Sequence, residues 1–115
     1  MMSVKRAILF GANGYLGRHI AYFLSQQDID FIPTGSAKSS IDGYANYQQI
    51  DITNIQDLQQ LDFNVDYVFA FAGLTGTGSS PELIDRFTEV NELGLANLLK
   101  CCEGKSIGRL VFPST

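Results

Sequence analysis

Gly11-Ala12-Asn13-Gly14-Tyr15-Leu16-Gly17 sits between two stretches of different periodicity, and that junction constrains the fold more than any other feature of the chain. Before it, Ala7-Ile8-Leu9-Phe10 is apolar at every position, the pattern of a strand covered on both faces. After it, Leu16, Ile20, Phe23 and Leu24 recur on one face of a helix expected from Tyr15 to about Gln27. Strand, glycine turn and helix in this order predict a phosphate-binding turn. Gly11 lets the chain leave the strand sharply, Gly14 removes a side chain where backbone must approach a pyrophosphate, and Gly17 lets the helix close on the sheet. The helix N-terminus then presents unpaired N–H groups and a partial positive charge. The plain alternative is a glycine-rich turn that holds no ligand, and the strand–turn–helix setting argues against it.

The alternation continues along the chain. Phe31-Ile32 reads as a second strand stopped by Pro33-Thr34-Gly35, and the small polar residues Ser36 to Gly43 read as a loop. Tyr47 to Ile50 is expected as a third strand, and Thr53-x-x-Gln56 as a capping box for a short helix through Ile55, Leu58 and Leu61. Tyr67 to Ala72 is apolar throughout, as a central parallel strand should be. After a loop of small residues from Gly73, Ser80-Pro81 opens a helix carrying Leu83, Phe87, Val90, Leu95, Leu98 and Cys102 at helical spacing, with Gly104 as its terminator. Leu110-Val111-Phe112 is the fifth strand. The expected fold is α/β: a three-layer Rossmann-type parallel sheet of order 3-2-1-4-5 with right-handed crossovers, the pattern ending after the fifth strand.

Composition narrows the function classes. The 115 residues suit one domain, 1–115, with a core that needs no staples. Eight basic and twelve acidic residues give a net charge of −4, the wrong sign for a phosphate-backbone binder, so no nucleic acid partner is expected. The longest apolar stretch, around Val68–Ala72, is far short of a membrane span, and Met1 to Arg6 lacks a signal-peptide core. The expectation is a cytoplasmic protein with no membrane partner. Cys101 and Cys102 are adjacent, offering neither a disulfide framework nor metal spacing, so no metal site is expected; they read as helix residues, one inward and one outward. His19, the single histidine, reads as a surface or packing residue.

Five motifs in order carry a resemblance. The G-x-x-G-x-x-G spacing of Gly11, Gly14 and Gly17 is similar to that of the short-chain dehydrogenase/reductase superfamily. Asp51-Ile52-Thr53, Ala70-Phe71-Ala72-Gly73, the helix Val90-Asn91-Glu92-Leu93-Gly94-Leu95-Ala96-Asn97-Leu98-Leu99, and Leu110 to Thr115 resemble segments of its extended branch, the NAD-dependent epimerase/dehydratase family. The resemblance covers essentially the whole chain. It implies a NAD(P) cofactor held by Gly11, Asn13, Gly14, Tyr15, Leu16 and Gly17 at the pyrophosphate, Asp51 and Ile52 beside adenine, and Ala70, Ala72 and Gly73 along the fourth strand's end. It implies Thr115 as the catalytic Ser/Thr and a nucleotide-sugar substrate for the full-length protein. Read from the residues alone, Asp51 equally serves to start the next helix through its dipole. Asn91 is expected on the apolar face with Phe87 and Leu95, hydrogen bonded to a strand end near the site, and Gly94 and Ala96 as close-packing residues.

At Gly35, where the family's NAD users carry an acid for the ribose hydroxyls, no carboxylate stands, and Ser36, Lys38 and Ser39 follow. Hydroxyls and an ammonium suit a 2′-phosphate, a slight lean to NADP over NAD. No tyrosine of the chain is followed four residues later by lysine, so the family's Tyr-x-x-x-Lys proton-transfer pair is absent from residues 1–115. Two readings therefore stand: the cofactor-binding part of an epimerase, dehydratase or reductase, silent by itself, or a stand-alone dinucleotide-binding sensor without turnover. A flavodoxin-like domain fits poorly, because its phosphate loop is rich in hydroxyl residues rather than spaced glycines. With only one helix expected on one face of the sheet, part of that face is left bare, and self-association into a homo-oligomer is expected over it.

Overall fold

β1, Lys5–Phe10, divides its apolar side chains between two cores, Ala7 and Leu9 entering one and Ile8 and Phe10 the other. That division is the period-2 geometry of a central strand. A computed structural model describes residues 4–72 and 81–113. The elements follow as α1 (Tyr15–Ser25), β2 (Ile29–Gly35), β3 (Gln48–Gln49), α2 (Ile55–Leu58), β4 (Tyr67–Ala70), α3 (Pro81–Cys102) and β5 (Arg109–Val111). The five strands form one parallel sheet of order β3-β2-β1-β4-β5, the order expected from the alternation.

One core joins Ile8, Phe10, Val68 and Ala70 of the sheet to Ile52, Leu58, Leu61, Phe63 and Leu98. The other joins Ala7, Leu9 and Phe31 to Ala21 and Leu24 of α1. Tyr67 and Phe69 of β4 and Phe71 just beyond it point to this second core but are only half-buried, whereas Val68 on the opposite face is fully buried. In place of a second helix on this side, Tyr44 from the β2–β3 loop packs edge-on against Phe31 at 5.6 Å.

Several elements depart from their expected form. β2 runs through Pro33 instead of stopping there, with Leu9 opposite Pro33 and Phe10 opposite Thr34. Thr34 directs its carbonyl to the β1 side and Gly35 directs its own to Ile50, so Pro33 turns its missing N–H to the β3 side, where pairing begins only at Thr34. Asn54, not Thr53, caps α2: its side chain accepts from the Gln56 N–H, and Leu61 is buried beyond a helix already ended at Leu58. The buried face of α1 is Gly17, Ala21 and Leu24, while Leu16 and Phe23 are exposed. Gly17 sits so close to the turn that a Cβ would overlap the Gly11 carbonyl, so the helix meets the sheet along the line of Gly17, Ala21 and Leu24 and not along that of Leu16 and Phe23. Cys101 and Cys102 are both half-buried against the same core rather than one in and one out, and burial raises both thiol pKa values. Gly104 takes a left-handed φ of 72° just after α3, as a terminator should. The expected cap Ser80 lies outside the described residues. Among the described residues, no helix is long and apolar enough to cross a membrane, and no group of three His, Cys, Asp or Glu could hold a metal ion.

Candidate functional site

The C-terminal ends of β1, β2 and β4 and the residues after β3 enclose a cleft of about 450 Å3. Gly11, Asn13, Gly14, Tyr15, Leu16 and Gly17 form one wall, Gly35, Ser36 and Ala37 a second, Ile50, Asp51 and Ile52 a third, and Phe71 and Ala72 a fourth. A cleft at the carboxyl ends of parallel strands, beside the strand where chain order reverses, is where this architecture places ligands. Of the other residues singled out from the sequence, Ala70 is buried in the α2–α3 core and Lys38 is exposed beyond the cleft wall. Asn91, expected on an apolar face, is exposed, as are Leu95 and Ala96. Gly73 and Thr115 lie outside the described residues.

The three motif glycines differ in why they are glycine. Gly11 has φ +86°, and a Cβ on it would stand 2.6 Å from the Phe71 carbonyl group. Its N–H and that of Ala12 both donate to the Thr34 carbonyl, at 3.0 and 2.9 Å, pinning the turn to β2. A Cβ on Gly17 would overlap the Gly11 carbonyl oxygen. Gly14 is under neither constraint. It is exposed, its φ of −76° suits any residue, and a Cβ would make ordinary contact at 3.4 Å with the Gly11 carbonyl oxygen. Gly14 is also the N-cap of α1, so no side chain caps the helix, and no acidic residue occupies its first turn. The first helical bond is from Arg18 N–H to the Gly14 carbonyl at 2.8 Å, which leaves the N–H groups of Tyr15, Leu16 and Gly17 without an acceptor among the described residues. Such an end accepts an anion.

On the third wall, Asp51 Oδ1 accepts from Thr53 N–H at 3.0 Å and from Thr53 Oγ1 at 2.7 Å, while Asp51 N–H donates to Asp57 Oδ2 at 3.0 Å. One carboxylate oxygen is thus spent on a local turn and the other faces no donor among the described residues. The wall itself is fixed from α3: Asn97 Nδ2 donates to the Ile52 carbonyl at 2.9 Å, and Gly94 leaves no room for a Cβ against the Ile52 side chain. The close-packing role expected of Gly94 is therefore observed. Asn97 was legible as part of the helix motif, but reading apolar spacing gave its polar side chain no task.

Facing the glycine turn across the cleft, the loop after β2 is tied down through its carbonyls. Ser36 accepts from Gln49 Nε2 at 3.0 Å, Ala37 from the Tyr47 hydroxyl at 2.8 Å, and Ser39 from Asn13 Nδ2 at 3.0 Å. Asn13 Oδ1 in turn accepts from Ile41 N–H at 2.9 Å. Arg18 makes a paired contact with Asp42, Nε to Oδ2 at 3.1 Å and Nη2 to Oδ1 at 2.8 Å. Those hydrogen bonds hold the Asp42 carboxyl below the ordinary aspartate range and raise the Arg18 guanidinium. His19 is exposed and meets Tyr15 edge-on at 4.9 Å.

A model of the NAD dependent epimerase/dehydratase family matches residues 7–115. The chain belongs to this family. Among curated relatives, the bifunctional protein GAL10 of Kluyveromyces lactis is 27% identical over 128 residues, covering 100% of this chain and 19% of the relative. Human short-chain dehydrogenase/reductase family 42E member 1 is 29% identical over 118 residues, covering 98% of this chain and 30% of its own length. The chain thus spans 19% to 30% of the length of these curated relatives. Among solved structures, the Thermus thermophilus UDP-glucose 4-epimerase in complex with NAD superposes with a TM-score of 0.83 at 24% identity, over 96% of this chain and 37% of that one. A UDP-glucose-4-epimerase from Stenotrophomonas maltophila, with bound NAD and formylated UDP-arabinopyranose, gives 0.81 at 23% identity over the same shares. At these identities the structures establish a shared fold.

Proposed function

We propose that residues 1–115 form the NAD(P)-binding domain of a nucleotide-sugar epimerase, dehydratase or reductase. The observation that carries this reading is Gly14, a glycine the fold does not require, standing at the start of α1 where Tyr15, Leu16 and Gly17 line the cleft and their N–H groups have no acceptor among the described residues. A Cβ there would occupy the space a pyrophosphate needs for backbone contact. The donor set fits the group: peptide N–H groups for phosphate oxygens, the Asp51 oxygen that meets no donor among the described residues for an adenine amino group, and apolar Ile52 and Ala72 for flat rings. The family and the two NAD-containing structural neighbours support the same cofactor, and the formylated UDP-arabinopyranose bound in one of them, with the UDP-glucose in the names of both, supports the substrate class. When bound, the nicotinamide ring supplies hydride acceptance and return. This chain's part is to bind and orient it, with Thr115 proposed to hydrogen bond the reacting oxygen. Because residues 1–115 contain no Tyr-x-x-x-Lys, we expect this stretch alone to bind without turnover.

The proposed preference is for NADP. The end of β2 carries Gly35 instead of an acid, Ser36 lines the cleft, and the carbonyls of Ser36, Ala37 and Ser39 are all engaged away from the loop's own N–H groups. Calorimetric titration with NAD and NADP tests both levels. Binding of either that weakens more than about tenfold on Gly14→Val supports the site. Equal affinity of wild type and variant removes it. Tighter binding of NAD than NADP at low salt removes the preference alone.

A further inference from the structure

The β2–β3 loop is held at its two ends and at its apex by different parts of the protein. Gln49 and Tyr47 fix Ser36 and Ala37 at its start, and Asn46, donating to the Phe31 carbonyl at 2.7 Å, fixes its finish. Within the loop, Ser40 accepts from the Gly43 and Tyr44 N–H groups at 3.3 and 3.2 Å. Across to the glycine turn and α1, the apex from Ser39 to Asp42 is held, among the described residues, by Asn13 and Arg18, with two hydrogen bonds at each. Both belong to the glycine turn and the first turn of α1, the elements that present the phosphate-facing N–H groups. The Arg18–Asp42 contact has no packing reason: both residues are exposed, and a surface ion pair of ordinary geometry contributes little to stability. This pair is two-pronged, with both carboxylate oxygens engaged by a planar guanidinium, so its value lies in fixing orientation.

We infer that Asn13, Arg18 and Asp42 are positioning residues that clasp the β2–β3 loop to the phosphate turn, so that the two walls receiving the adenosine half of the ligand are joined before the ligand arrives. This rests on the dinucleotide reading of the cleft. The loop's ordering cost is met during folding instead of on binding, which raises affinity without any contact from Arg18 or Asp42 to the ligand. It also couples the two walls: the glycine turn cannot shift without moving Ser39 and Ile41, which are bonded to the Asn13 side chain.

Lys38, exposed at the edge of this apex, gives a readout that needs no ligand. Cleavage after Lys38 by a lysine-specific endoprotease, which does not cut after arginine, is timed in the intact chain for wild type, Asp42→Ala, and the reversed pair Arg18→Asp with Asp42→Arg. The clasp predicts cleavage several-fold faster in Asp42→Ala, with protection returning in the reversed pair. In parallel, NAD and NADP affinities should fall about threefold to tenfold in Asp42→Ala and recover in the reversed pair, with the ligand-free melting temperature nearly unchanged. Cleavage at the wild-type rate in Asp42→Ala overturns the clasp whatever the affinities do. Faster cleavage with unchanged affinity overturns its positioning role. A melting temperature that falls in step with affinity also overturns that role, in favour of general stability. Faster cleavage in a protein whose wild type binds neither dinucleotide leaves the loop contact standing and removes the dinucleotide reading with the role built on it.

Discussion

The Tyr47 hydroxyl lies 2.8 Å from the position a Cβ on Gly35 would take, while donating to the Ala37 carbonyl at 2.8 Å. The strand end that faces the cleft is thus kept bare by a tyrosine from the neighbouring segment. Gly35→Ala should cost about 1–3 kcal/mol, since Tyr47 must give way. Tyr47→Phe should cost about 0.5–1.5 kcal/mol for the lost bond to Ala37. Because the ring carbons lie at 3.6 Å, ordinary contact, the double variant should lose less than the sum. Urea unfolding of the four proteins measures this, and strict additivity would separate the two residues.

Gly14→Ala and Gly17→Ala should part company. The first adds a methyl group in ordinary contact, so the melting temperature should barely move while dinucleotide affinity drops. The second drives a Cβ into the Gly11 carbonyl and should destabilise by more than about 2 kcal/mol, with binding lost through unfolding. Calorimetry beside thermal unfolding separates the effects.

Asp42 should titrate lower than an ordinary aspartate, and Arg18→Ala should return it to the normal range. The sign follows from linkage: a carboxyl depressed in the folded state contributes stability that is fully present above its unfolded pKa and is lost as pH falls through the lower folded value. The clasp should therefore be intact throughout neutral and mildly acidic conditions and open only below the ordinary aspartate range. Carboxyl-carbon chemical shifts of Asp42 in the two proteins provide the test.

Asn97→Ala removes the donor to the Ile52 carbonyl and should cost about 1–3 kcal/mol, with weaker dinucleotide binding because Asp51 and Ile52 share that wall. Asn97→Asp, which keeps the shape but not the amide donor, should behave like the alanine variant at neutral pH. Recovery of stability in Asn97→Asp would contradict the hydrogen-bond account.

Tyr67 and Phe69 on one face of β4 and Phe71 just beyond it are half-buried, and Phe112 just beyond β5 is 56% exposed. A chain of residues 1–115 should therefore self-associate as concentration rises, an expectation that sedimentation equilibrium checks directly. A monomer across the accessible range would contradict it.

Sheet order and the glycine turn between β1 and α1 were readable in the sequence because each rests on local signals: fully apolar strands, and glycines at a strand–helix junction. The inward face of α1 was not. Leu16 and Phe23 carry the helical pattern, yet the close seat of Gly17 on the turn leaves the inward positions to Gly17, Ala21 and Leu24. Pro33 misled for a related reason, since whether a proline ends a strand depends on which side its nitrogen faces, a matter of neighbours and not of composition. Arg18, Asp42 and Asn97 act over separations of 24 and 45 residues, so no local pattern announces them. Asn13 was legible as part of the glycine turn, but its amide's bonds to the opposite loop were not.

The different standing of the three glycines has a consequence for descent. Gly11 and Gly17 answer to the architecture, so a descendant that had given up its ligand would still be obliged to keep them. Gly14 answers to nothing in the bare protein and would be free to drift toward the serine, threonine or aspartate that ordinarily begins a helix. Within this turn, position 14 is therefore where loss of an ancestral trade would first be written, and in this chain that position is still glycine.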